Sequence, residues 1–123
     1  MEETNKKRVL IVDDEPVVRR LVHQMLGKDY TVLEAQDGQE AVSIARSQKP
    51  DVILMDMLMP KMDGLTACYI IKTGRTTKAT PVVMLTAINY ELNKKLSQDV
   101  MGADGYITKP FTREALLQAI SQL

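Results

Sequence analysis

The sequence is poor in cysteine and in aromatic residues: it has one Cys, four Tyr, one Phe and no Trp. A single cysteine excludes an internal disulfide and a metal site built from cysteines. Cys68 falls at core spacing in a helical pattern, so we expect a small buried hydrophobe there. Basic and acidic residues balance at 16 each, so no basic field indicates direct nucleic-acid binding and no acidic excess indicates disorder.

Long apolar runs are also missing. No segment approaches the length of a secretory or membrane-spanning stretch, so we expect a cytoplasmic protein without membrane contact. A length of 123 residues with 45% hydrophobic content suits one compact domain. We therefore expect a single domain over residues 1–123, with residues 1–7 as a flexible polar lead.

Five strand candidates alternate with five helical patterns along the chain. The strand candidates lie in residues 8–12, 30–35, 52–60, 81–87 and 102–109, the last of which begins with a turn, and the helical patterns cover residues 17–26, 41–46, 65–72, 92–100 and 116–123. Such alternation is typical of an α/β fold, in which right-handed crossovers build a doubly wound parallel sheet with helices on both faces. The helix at 92–100 has only a narrow apolar stripe, Leu92, Leu96 and Val100, so it is a candidate mobile element.

Polar residues stand where the predicted strands end: Asp13 and Asp14, then Asp56, Thr86 and Lys109. In open α/β sheets the ligands bind beyond the carboxyl ends of the strands, so we expect these five residues to form one site. Three carboxylates packed together repel one another unless a cation sits among them. Mg²⁺ fits this role, because it takes oxygen ligands and is usually held by one or two carboxylates beside a phosphate.

The constellation predicts phosphoryl transfer with Asp56 as the nucleophile. An ionised carboxylate needs no histidine base, and His23, the only histidine, is expected to be a half-exposed surface residue. An acyl phosphate on Asp56 would bring three acceptor oxygens, and Thr86 and Lys109 are the available donors.

Nearly the whole chain, from about Val9 to Leu123, resembles the receiver domains of bacterial two-component response regulators, and in plan the single-domain chemotaxis regulator. Four segments carry the resemblance, in order and at the family's spacing: residues 10–15 (LIVDDE), 56–64 (DMLMPKMDG), 81–87 (PVVMLTA) and 102–111 (GADGYITKPF). Together they are highly specific, although any one alone would be weak. The resemblance implies a flavodoxin-like sheet with strand order 2-1-3-4-5.

The resemblance also implies roles for the site residues. It makes Asp56 the phosphoacceptor, Asp13 and Asp14 the magnesium-site acids, and the main-chain carbonyl of Leu58 a further metal ligand. It has Thr86 and Lys109 contact the phosphoryl group.

Two structural features follow from the same resemblance. Thr86 and Tyr106 become switch residues that remodel the face formed by the helix at 92–100, the strand of Tyr106 and the last helix. A cis peptide is expected between Lys109 and Pro110.

The implied function is a phosphorylation-activated signalling switch rather than an enzyme, one that catalyses only its own phosphotransfer and slow dephosphorylation. The expected partners are a sensor histidine kinase or a histidine phosphotransfer protein, which donates the phosphoryl group, and a downstream protein target that the sequence does not identify.

Simpler interpretations exist for each residue. Asp14 could cap the first helix, Asp13 could be a turn residue, and Thr86 could be a strand-end hydroxyl. Lys109 could be a solvated charge. Their joint placement at one sheet edge argues against these interpretations.

Two other functions remain open at this point. One is a phosphorylation-independent interaction module of receiver shape, although such domains typically lose the acids or the lysine. The other is a haloacid-dehalogenase-like phosphohydrolase, which carries a second aspartate two residues after its nucleophile, where this chain has Leu58.

Two residues depart from patterns common in the family. An apolar Leu58 should exclude water from the acyl phosphate, which predicts a long-lived phosphoryl group. Gly105 precedes Tyr106, where regulators that dimerise for DNA binding usually have an acidic pair, which argues against that dimerisation mode.

Overall fold

The computed structural model describes residues 6–57, 59–86 and 102–123. These ranges contain five strands, β1 Lys7–Val12, β2 Tyr30–Ala35, β3 Val52–Asp56, β4 Val82–Thr86 and β5 Gly105–Thr108. They also contain four α helices, α1 Pro16–Leu26, α2 Gly38–Gln48, α3 Gly64–Thr73 and α4 Arg113–Ser121. The predicted helix at 92–100, residues 1–5 of the polar lead, and Leu58 lie outside the described residues.

All neighbouring strands are parallel, and their order is β2-β1-β3-β4-β5. This confirms the expected doubly wound fold and its strand order. The register aligns the carboxyl ends: Asp56 lies opposite Leu85 of β4, and Thr86 lies opposite Thr108 of β5. Parallel pairing thus gathers residues that are far apart in sequence at one edge.

The core has two layers, one on each face of the sheet, because successive strand residues point to opposite faces. Leu10, Ile53 and Met84 pack with the inner faces of α2 and α3. Val9, Leu54 and Leu85 pack with the inner faces of α1 and α4. Every residue of β3 and β4 is buried, as expected of central parallel strands covered on both faces.

The helix ends follow local chemistry. Asp63 accepts a hydrogen bond from the Thr66 amide at 2.7 Å, and Thr112 accepts one from the Ala115 amide at 3.1 Å, so these side chains cap α3 and α4. Pro16 occupies the first turn of α1. The residue before that turn is Glu15, so the interpretation of Asp14 as the cap of α1 is wrong.

The apolar pattern of the first helix overstates how much of it is buried. Val22 and Leu26 are fully buried, whereas Val17 is 67% exposed and Leu21 is 40% exposed. Among the described residues, no helix is both long and apolar enough to cross a membrane.

Candidate functional site

Three carboxylates meet at the carboxyl edge of the sheet. Each of Asp13, Asp14 and Asp56 offers an oxygen within 4.8 Å of those of the other two. Asp13 follows β1 and is fully buried, Asp56 ends β3 and is 9% exposed, and Asp14 is exposed. The cluster therefore has two buried acids and one that faces solvent.

Lys109 joins the two buried acids. Its Nζ donates to Asp13 Oδ2 and to Asp56 Oδ1, both at 2.9 Å. Burial alone would lower the pKa of the Lys109 ammonium, but the hydrogen bonds to Asp13 and Asp56 and the charges of both acids outweigh it, so its pKa lies above the ordinary value. The lysine remains a cation at the pH of a cell.

Asp56 is in the opposite position. Burial raises the pKa of its carboxyl, the hydrogen bond from Lys109 offsets part of this rise, and the charges of Asp13 and Asp14 add to it. The ionised form of Asp56 therefore depends on nearby positive charge.

Asp13 is fixed through its main chain as well as its side chain. Its Oδ1 accepts a hydrogen bond from the Glu15 amide at 2.9 Å. Asp13 is therefore a turn residue as well as a member of the acid cluster. Its own amide donates to the Ala35 carbonyl at 3.1 Å. Its carbonyl oxygen accepts from Arg19 Nη1 at 2.7 Å.

Thr86 and Lys109 are neighbours across two strands. Thr86 ends β4 and is 1% exposed, and its carbonyl accepts from the Lys109 amide at 2.7 Å. The bond between Lys109 and Pro110 is cis, as predicted. Tyr106 lies in β5, half-buried, opposite Met84 and against the core layer beneath α2 and α3.

Two glycines bring other loops against the site. The Gly64 amide donates to the Met57 carbonyl at 2.8 Å, and the Gly38 amide donates to the Met62 carbonyl at 3.1 Å. A Cβ on either glycine would clash with main-chain atoms. The close approaches of these glycines have no signal in the local sequence pattern.

A group of three polar side chains, Arg19, Glu34 and His23, lies beside the acids and was not predicted from the sequence. Arg19 Nε donates to Glu34 Oε1 at 2.7 Å, and His23 Nε2 lies 2.7 Å from Glu34 Oε2. The hydrogen bond from Arg19, followed by the bond to His23, lowers the pKa of Glu34. His23 is 42% exposed, as expected, but it has a partner. The only available signal was an arginine and a glutamate on neighbouring elements.

The acid cluster fits a hard divalent cation. Three carboxylates with one ammonium leave two negative charges in excess, and oxygen ligands of this kind suit Mg²⁺. The carbonyl of Leu58, the fourth expected ligand, lies outside the described residues. Asp13, Asp14 and Asp56 are thus the described residues that would hold the ion.

An open parallel α/β sheet with an acidic, lysine-bearing site at its carboxyl edge defines a class of signalling and phosphoryl-transfer proteins. Within that class, the family model of the response regulator receiver domain matches residues 9–121. The chain belongs to this family, and the match does not favour the haloacid-dehalogenase-like hydrolases.

Individual relatives agree. The chain is 41% identical over 120 residues to the transcriptional regulatory protein ResD of Bacillus subtilis, covering 96% of this chain and 48% of ResD. It therefore spans about half the length of that relative. The chemotaxis protein CheY4 of Vibrio cholerae superposes with a TM-score of 0.86 at 35% identity, over 95% of this chain and 98% of that one.

A third relative bears on the metal. The receiver domain of the sensor histidine kinase PA1611 from Pseudomonas aeruginosa, solved with a magnesium ion coordinated in its active-site cleft, matches with a TM-score of 0.86 at 31% identity, over 95% of this chain and 96% of that one. The chain is thus a two-component receiver domain with an acidic pocket compatible with Mg²⁺.

Proposed function

We propose that this protein accepts a phosphoryl group on Asp56 from the phosphohistidine of a sensor histidine kinase or a histidine phosphotransfer protein. The observation that carries the proposal is the position of Lys109 Nζ, 2.9 Å from an oxygen of Asp56 and 2.9 Å from an oxygen of Asp13. A cation held against the nucleophile can also contact the incoming phosphoryl group. We place this exchange in the cytoplasm and assign it to a single receiver domain over residues 1–123.

The transfer is a substitution at phosphorus. An oxygen of the Asp56 carboxylate attacks, a P–O bond forms, and the P–N bond of the phosphohistidine breaks. The imidazole leaves with the bonding electron pair and takes a proton from solvent. Catalysis of this kind consists mainly of positioning and charge neutralisation, so the protein needs no general base.

Charge neutralisation falls to Lys109 and to the cation that the acids hold. Mg²⁺ bound by Asp13, Asp14 and Asp56 would offset carboxylate charge and the charge on the phosphoryl oxygens. An acyl phosphate carries about −2 at neutral pH, so the site becomes about one unit more negative on phosphorylation. Lys109 and the Thr86 hydroxyl would donate to the new oxygens.

The signalling output is a change of surface. In this proposal Thr86 moves towards the phosphoryl group and Tyr106 turns inward. These movements remodel the face formed by the helix predicted at 92–100, β5 and α4, and so change its affinity for a downstream protein. The half-buried position of Tyr106 in β5 supports this role. The protein makes no direct contact with nucleic acid or membrane, and its only catalysis is its own phosphotransfer and slow dephosphorylation.

The test is the intact mass after incubation with acetyl phosphate, with and without Mg²⁺. We expect one added phosphoryl group that requires both Mg²⁺ and Asp56 and is absent in Asp56→Asn. The matched control is Asp29→Asn, which makes the same change at an exposed acid outside the site and should be phosphorylated like the parent.

Other outcomes point elsewhere. No adduct, with the fold intact by circular dichroism, would favour the phosphorylation-independent module. Steady release of free phosphate without an adduct would favour a hydrolase. For the switch, amide NMR shifts that stay confined to the neighbours of Asp56 and never reach Tyr106 would contradict the proposed change of surface.

A further inference from the structure

Arg19 connects α1 to both neighbouring strand ends. Its side chain is only 16% exposed. One nitrogen of its planar guanidinium donates to the main-chain carbonyl of Asp13 and another donates to Glu34 of β2, each at 2.7 Å. Glu34 is held in turn by His23. Charge-assisted bonds of this length to a planar group fix orientation as well as distance.

The carbonyl that Arg19 holds belongs to the peptide group between Asp13 and Asp14. Orientation of that peptide plane sets the direction in which the Asp14 side chain leaves the main chain. The Asp13 carboxylate has its own anchors, the Glu15 amide and Lys109. The Asp14 carboxylate, in contrast, makes no hydrogen bond within residues 6–57, 59–86 and 102–123, so its placement depends on the main chain.

We propose that Arg19 is a positioning residue for the metal site, which orients the Asp13–Asp14 peptide so that the Asp14 carboxylate lies beside those of Asp13 and Asp56. The inference rests on the proposed function for its consequence in phosphorylation, but it concerns cation binding directly. Groups that orient metal ligands commonly contribute about 10-fold to metal affinity or more.

A positioning role and the charge of Arg19 predict opposite changes in Mg²⁺ affinity when the residue is replaced. Arg19 is a cation close to a site that would bind a cation, so its charge alone opposes Mg²⁺ binding. On charge alone, Arg19→Met would bind Mg²⁺ more tightly. As a positioning residue, its loss would weaken binding.

The experiment measures the dissociation constant for Mg²⁺ by isothermal titration calorimetry, well below the melting temperature of each variant. For Arg19→Met we expect affinity about 10-fold weaker than in the parent. The matched control is Arg20→Met, which removes the same charge from an exposed neighbour on α1 and should bind Mg²⁺ as tightly as the parent, or slightly more tightly.

A second variant keeps the test valid if Arg19→Met does not fold. Arg19→Lys preserves the charge but loses the planar pair of donors. It should weaken Mg²⁺ binding less than Arg19→Met does, but more than the matched control Arg20→Lys does. Unchanged affinity in Arg19→Lys, or tighter binding in Arg19→Met, overturns the proposal and leaves Arg19 as a tie between α1 and β2.

Phosphorylation by acetyl phosphate gives an independent readout. In the Arg19 variants the Mg²⁺ concentration for half-maximal adduct formation should rise, while the maximal rate at saturating Mg²⁺ stays near that of the parent. A lower maximal rate with unchanged Mg²⁺ affinity overturns the proposal. A parent that binds Mg²⁺ but takes up no phosphoryl group refutes the proposed function alone, and a parent that binds no Mg²⁺ refutes both.

Discussion

Gly64→Ala tests the contact that holds α3 against the end of β3. Gly64 is the first residue of α3, and its amide donates to the Met57 carbonyl at 2.8 Å. A Cβ at this position would overlap the Asp56 carbonyl oxygen and would lie 2.9 Å from the Asp56 carbonyl carbon and 3.0 Å from Met57 Cα. Ordinary contact of a Cβ begins at 3.4 Å, so the main chain must move.

The required movement has a calculable cost. The obstructing atoms are backbone, held by pairing of Asp56 and Met57 with β4, so rotation of a side chain cannot relieve the clash. Overpacking typically costs 1–3 kcal/mol. Because the obstacle is rigid backbone, we expect Gly64→Ala to lower the free energy of unfolding by about 3 kcal/mol. With a urea m-value of about 1–3 kcal/mol/M, the urea midpoint should fall by roughly 1–3 M.

The same movement displaces Asp56, so adduct formation with acetyl phosphate should slow in variant protein that is still folded. The matched control is Gly105→Ala in β5, where the nearest atom to a new Cβ is Val83 Cγ2 at an ordinary 3.7 Å. Its stability should be unchanged or slightly higher. A Gly64→Ala protein with the parent's urea midpoint and phosphorylation rate would refute the close approach.

Three further predictions concern charge and burial. Lys109→Met should bind Mg²⁺ more tightly in calorimetry, because a cation leaves the site, yet form the adduct more slowly; weaker Mg²⁺ binding would contradict this. Cys68 is fully buried and burial raises the pKa of its thiol to about 12, so it should resist a thiol reagent at pH 8 until the protein is unfolded. Rapid labelling of the native protein would refute that burial. The pKa of Glu34 in the folded state lies below the ordinary 4.5, first because of the hydrogen bond from Arg19. Ionised Glu34 therefore stabilises the fold above pH 4.5, and this contribution is lost as the pH falls through the folded pKa. Glu34→Gln should therefore melt earlier than the parent at pH 7, with the difference disappearing at low pH; a constant difference would contradict it.

The strands and the strand-end residues were predictable because their signals are local. Val52–Asp56 is a continuous apolar run with one carboxylate at its end, and the structure buries all of it. Parallel strands then gather Asp13, Asp56 and Lys109 by topology alone, whatever the loops do. The residues that form the site could therefore be predicted from the sequence, whereas the distances between them could not.

The remaining features depend on contacts between elements, which leave no periodic signal. The bond from Arg19 to the Asp13 carbonyl requires the relative placement of α1 and the end of β1. Val17 and Leu21 fit the apolar stripe of α1 but are exposed, because the period of a helix does not specify which part of the stripe is covered by neighbouring elements. The approach of Gly64 to Asp56 likewise arises from the path of a loop.

The charges of the site explain why a cation belongs in it. Lys109 supplies one positive charge to three clustered carboxylates, and it contacts those of Asp13 and Asp56. Two negative charges therefore remain in excess. Burial raises the pKa of the Asp56 carboxyl, and the charges of Asp13 and Asp14 add to this rise, so the ionised form of Asp56 is disfavoured. A divalent cation would offset the excess and favour ionised Asp56, the form that attacks phosphorus. Metal binding and nucleophile activation are then one electrostatic event, and a variant that weakens the first should raise the Mg²⁺ concentration needed for the second.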